Sequence, residues 1–134
     1  MERDDRKIVT SCFSKVFQKK ALLSTKIYAE IFDQIPEARE FMQGDVSQQK
    51  EGFVSVLIEA MKMPQTGEAA ERRMAELRQL HVTLGVTAQQ VERALNIILE
   101  VLREGLATDL TAEEQKAWDR VIRTFGLDLA AGLS

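Results

Sequence analysis

Apolar side chains recur at three- and four-residue intervals along almost the whole 134-residue chain, and this periodicity leaves little choice of architecture. Such spacing places the apolar groups on one side of a helix, whereas a half-buried strand needs strict alternation. β-branched residues are scattered, and no Asn-Gly or Asp-Gly pair marks a hairpin turn. The chain is therefore expected to be all-α, one domain over residues 1–134, with about six long helices and one short one.

The expected elements follow in order. One helix from about Asp4 to Lys20 carries Ile8, Val9, Cys12, Phe13, Val16 and Phe17 as its stripe. Ser24 is read as the cap of a second, with Ile27, Tyr28, Ile31 and Phe32 on one side, ending near Ile35 because Pro36 disfavours helix at the residue before it. A short helix over Pro36 to Phe41 and a loop at Met42 to Val46 come next. Ser47 then caps a helix with Phe53, Val56, Leu57, Ala60 and Met61 inward and Gln49 on the same face. After the break at Pro64 to Gly67, a helix from about Glu68 to Leu84 turns Met74, Leu77, Leu80, His81 and Leu84 toward the interior. Gly85 stops it, and Thr87 with Gln90 opens the next, running to about Gly105 with Val91, Leu95, Ile98 and Leu102 in register. Thr111 with Glu114 opens the last, which carries Trp118, Val121, Ile122, Phe125 and Leu129.

Several functional classes are excluded by what is missing. One histidine and one cysteine cannot assemble a Cys/His zinc site, and no Gly-rich phosphate loop, HExxH helix or Ser-His-Asp spacing is present. A net charge of -3 argues against a general nucleic-acid role, which needs a basic face. No apolar run reaches the roughly 20 residues of a membrane span, the stretch Ala94 to Leu102 being broken by Asn96 and Glu100. The unpaired Cys12 and a mixed-charge start at Met1 to Lys7 make the cytoplasm the expected location. What remains is the His81 imidazole on an apolar face, with Tyr28 and Gln49 as polar residues on other apolar faces. Taken alone, each has an ordinary reading: a satisfied core histidine, a half-buried tyrosine, a solvated first-turn glutamine.

Their order and spacing resemble the bacterial single-domain haem globins, the group related to the globin half of flavohaemoglobins. The resemblance runs from about Ser11 to Gly132 and is carried by Tyr28-Ala-Glu-Ile-Phe32, Ile35 to Phe41, Asp45 to Gln49, Leu80 to Val86, and Ala117-Trp118. It implies the globin fold around a haem pocket, with haem b as cofactor and His81 as the iron ligand. It also implies Tyr28 and Gln49 as hydrogen-bond donors to the gas on the other side. Phe41, Met42, Phe53, Leu57, Leu77, Leu80, Val86, Val91, Leu95 and Ile98 would line the haem. Two positions depart from the family pattern: Met42 stands where a nearly fixed loop phenylalanine falls, and Val91 replaces a tyrosine that belongs to a network around the ligating imidazole. With no polar group at Val91, His81 is expected to give its other N–H to the Leu77 carbonyl or to water.

The resemblance implies reversible binding of O2, and of CO and NO, for transport, storage or sensing. Two other readings stay open. One is an NO dioxygenase, which would need an external reductase because the chain leaves no room for a flavin domain. The other is a haem-free globin-fold sensor or interaction domain. A monomer and a homodimer are both compatible with the sequence.

Overall fold

The structure, a computed structural model, describes residues 2–38 and 67–133. Among the described residues it consists of six α-helices and no strand: α1 (Glu2–Ser11), α2 (Phe13–Gln18), α3 (Lys20–Gln34), α4 (Glu68–Leu84), α5 (Ala88–Gly105) and α6 (Ala112–Ala131). The expected short helix beyond Ala38, the loop at Met42 and the helix after Ser47 lie outside the described residues.

α5 is packed on two sides. It lies against α3 and α6, while α1 and α4 also pack on α6. A helix held on two sides must be apolar on more than one stripe, and α5 buries Leu95, Ile97, Leu99, Val101 and Leu102. The single stripe expected from the sequence is therefore too narrow: Ile98 is only half-buried at the edge of the core. The core continues through Val9, Cys12 and Val16, then Leu23, Ile27 and Ile31, and closes on Ala117, Trp118, Val121 and Ile122 of α6. Phe13 meets Trp118 edge-on at 5.9 Å.

Two expectations at the N-terminus need correction. The single first helix is broken at Cys12, where Cys12 N–H donates to the Val9 carbonyl at 3.0 Å, an i→i−3 bond. Just before the break, the Thr10 and Ser11 hydroxyls donate to the Arg6 and Ile8 carbonyls at 2.8 and 2.7 Å. Such back-bonding competes with the helical ladder and bends it. Ser24, expected as a cap, lies inside α3 and is fully buried, because the helix already starts at Lys20. The run Lys20-Ala-Leu-Leu23 is made of good helix formers, and burial of Leu23 and Ile27 in the core holds it there.

The two helix starts signalled by sequence are formed as expected. At Thr87/Gln90 and Thr111/Glu114 the hydroxyl accepts from the N3 amide and the N3 side chain accepts from the cap amide. Each satisfies two amides that otherwise have no helical partner.

Candidate functional site

His81 stands in the last turn of α4, with its carbonyl and its ring Nδ1 both hydrogen-bonded. Gly85 takes the left-handed conformation (φ 80°, ψ 20°), and the chain closes with Val86 N–H donating to the His81 carbonyl at 2.9 Å and Gly85 N–H to Val82 at 3.0 Å. The ring Nδ1 lies 2.7 Å from the Leu77 carbonyl. A carbonyl only accepts, so Nδ1 carries a proton, and in the neutral ring the lone pair is on Nε2. The half-buried imidazole is thus fixed in the tautomer that ligates a metal through Nε2.

α4 is apolar on one side yet has no fully buried residue in its seventeen. Met74 and Leu77 pack on a small cluster of Val91, Leu129 and Ala130, joined by Val86, Ala88 and Leu133. Leu80 and Leu84, expected to face the interior, are instead 52% and 42% exposed. Their exposure corrects that reading: α4 leans chiefly on α6, and no other described helix packs closely on the flank carrying Leu80 and Leu84. Val91 is buried in the same cluster as Leu77 and offers the imidazole no donor or acceptor.

Tyr28 sits on the inner face of α3, 5% exposed, its ring stacked on Phe32 with centroids 6.0 Å apart. Burial pushes its phenol up to about 12, so at neutral pH it keeps its proton and is a donor. The end of α3 is held to α5: Arg93 donates to the Gln34 carbonyl, and Gln90 Nε2 donates to Glu37 Oε1 at 3.4 Å. Leu95 is buried in the main core, with Ile98 against it. Of the expected site residues, the structure gathers Leu77, Val86 and Val91 next to the His81 turn. It puts Leu95 and Ile98 in the core that α3 shares. Phe41, Met42, Gln49, Phe53 and Leu57 lie outside the described residues.

Sequence reasoning missed one residue here. Arg78, one turn before His81, donates from Nη2 to the Asp128 carbonyl of α6 at 2.6 Å. A charged residue on the outer side of a helix carries no sign of so distant a carbonyl partner.

Among the described residues no group of three or more His, Cys, Asp or Glu could hold a metal ion. A lone imidazole nitrogen cannot retain a bare divalent ion, but it can complete the coordination of a metal whose other ligands come with it. Nor is any described helix long and apolar enough to cross a membrane.

All-helical among the described residues, with one oriented imidazole beside an apolar flank that no described helix covers, the chain has the make-up of α-proteins whose ligand sites lie between helices. The globin family model matches residues 25–129, and the chain belongs to the globin family. Similar solved structures agree on the fold. A bacterial globin from Campylobacter jejuni superposes with a TM-score of 0.77 at 16% identity, over 96% of each chain. An engineered carbene transferase from Rhodothermus marinus gives 0.75 at 17%, over 95% of this chain and 89% of that one. A flavohaemoglobin from Malassezia yamatoensis, with bound FAD and haem, gives 0.75 at 12%, over 96% of this chain and 35% of its own. No curated protein sequence matches the chain.

Proposed function

We propose that this globin works as a single haem-binding unit over residues 1–134, holding haem b through His81 Nε2 and binding O2, CO or NO reversibly for transport, storage or sensing. The observation that carries the proposal is the 2.7 Å contact between His81 Nδ1 and the Leu77 carbonyl, which leaves Nε2 of the neutral ring available as a ligand. The uncovered Leu80 and Leu84 supply apolar surface for a flat ring on the same helix. Haem, when bound, would supply an iron able to take a diatomic ligand.

The rest is done by the chain. Tyr28, buried and protonated, offers an O–H to a ligand that gathers negative charge, which slows its escape. Gln49 is the second donor in this proposal, and Phe41, Met42, Phe53 and Leu57 line the ring with Leu77, Leu80, Val86, Val91, Leu95 and Ile98. The Leu77 carbonyl is a neutral acceptor, and Val91 adds none, so the imidazole gains little electron density from its surroundings. That favours reversible binding over cleavage of an O–O bond.

Haemin added to the purified chain is expected to give a Soret band that shifts with CO after reduction. His81→Ala should lose the ferrous five-coordinate spectrum; a variant retaining the wild-type spectra would remove His81 from the role. Repeated NO turnover with a flavodoxin or ferredoxin reductase would replace the binding role with a dioxygenase one, whereas a single stoichiometric reaction supports it.

A further inference from the structure

The C-terminal end of α6 is unfinished by its own residues. Gly132 N–H donates to Leu129 at 3.2 Å and Leu133 N–H to Ala130 at 3.0 Å, so the Asp128 carbonyl does not receive the Gly132 amide that a continuing helix would give it. The last turn of α6 contains no basic residue. The guanidinium of Arg78 fills both needs from another helix, donating to the Asp128 carbonyl at 2.6 Å and placing a positive charge at the negative end of the helix dipole.

The fit is specific to the residue opposite. A Cβ built on Gly132 would collide with Cδ and Nε of Arg78, so the end of the arginine side chain lies directly over Gly132 and would have to shift if that residue carried a side chain. Arg78 Nε is itself sealed from solvent without a partner, which shows how closely the stem is pressed onto that glycine. Because α4 has no fully buried residue and packs chiefly on α6, this bond is a principal polar tie, among the described residues, between the histidine-bearing helix and its neighbours.

We infer that Arg78, seated over Gly132 and bonded to Asp128, is a positioning residue that fixes the height and tilt of the His81 turn relative to α6. Arg78 lies three positions before His81, so both belong to one turn of α4 and move together. The tether would set how far Nε2 reaches toward the iron; this consequence rests on the haem reading above, whereas the tether itself does not.

The test is amide exchange of the chain as purified, compared with Arg78→Met and Gly132→Ala. The first removes the charge and donors; the second evicts the stem and leaves the arginine intact, and carries the test if Arg78→Met does not fold. Exchange over α4 should quicken about tenfold in each, as expected for loss of a charge-assisted bond, with α5 unchanged. Equal loss of protection in every helix, no change in α4, or a wild-type α4 that exchanges at the unprotected rate would each overturn the tether. In ferrous, haem-loaded protein the iron–imidazole stretching band should shift in both variants while the Soret intensity is kept; an unmoved band would overturn the positioning role. Failure of the wild-type chain to take up haemin would instead sink the functional proposal, and the exchange result would still decide the tether.

Discussion

Asp5 and Arg120, 115 positions apart, form a two-pronged ion pair: Nε donates to Oδ2 at 2.8 Å and Nη2 to Oδ1 at 2.7 Å. Asp5 is 4% exposed, and the Arg120 hydrogen bonds hold its carboxyl below the usual carboxylate range, against the opposing pull of burial. The pair ties α1 to α6, which pack directly on one another. Since the folded value is depressed, its stabilisation is fully present above the unfolded-chain value of about 3.9 and is lost as pH falls through the lower folded one. Thermal melts between pH 6 and 2 should show this loss, and Asp5→Asn should flatten that part of the curve. An unchanged slope in the variant would mean that other carboxylates govern the acid limb.

Tyr28 is held by Phe32 through its ring, so Tyr28→Phe should keep the packing and delete only the donor. A hydrogen bond to a group bearing charge contributes about 1.5–3 kcal/mol, which converts to roughly 10- to 100-fold in the dissociation rate of O2. CO, which gathers less negative charge, should leave at nearly the wild-type rate. Stopped-flow displacement of each gas measures both, and equal effects on O2 and CO would point to steric rather than hydrogen-bonding control.

Cys12 is fully buried at the break between α1 and α2, and its thiol donates to Glu114 Oε2 at 3.1 Å. Burial pushes the thiol up, and the neighbouring carboxylate adds to the effect. The native chain should therefore resist iodoacetamide at pH 8 and be alkylated only on unfolding, which mass spectrometry would show. Alkylation of folded protein within minutes would contradict the burial of that sulfur.

What the sequence disclosed follows from the range of each interaction. The bounds of α4, the left-handed Gly85 and the caps at Thr87 and Thr111 depend on residues within four positions, so spacing alone reveals them. The His81–Leu77 bond is of the same kind, an i−4 contact that helix geometry permits once Val91 offers nothing else. The break at Cys12 was hidden because Thr10 and Ser11 are compatible with either a helix or a bend, and packing on α6 decides between them. Leu80 and Leu84 were misplaced for the opposite reason: periodicity identifies an apolar side but not whether a helix stands opposite it. The Asp5–Arg120 and Arg78–Asp128 bonds link segments far apart in sequence, and charged residues at such separation carry no pattern that pairs them.

Gly85 tests how far the His81 turn depends on its cap. Its φ of 80° is a conformation that an L side chain reaches only with strain, although a Cβ there would meet no atom within 4 Å. Gly85→Ala therefore isolates backbone strain from crowding and should cost about 1 kcal/mol, a Tm fall of roughly 3 °C for a chain this size. Because Gly85 N–H and Val86 N–H close the turn on Val82 and His81, the strain falls on the segment that orients the imidazole. Haem loss to an apomyoglobin scavenger should accelerate in the variant by more than the Tm change alone accounts for. Gly67→Ala is the control: Gly67 also has a positive φ, 98°, with open space around a Cβ, but it caps the far end of α4. Equal acceleration in both variants would show that helix stability in general, rather than the geometry of the His81 turn, governs retention.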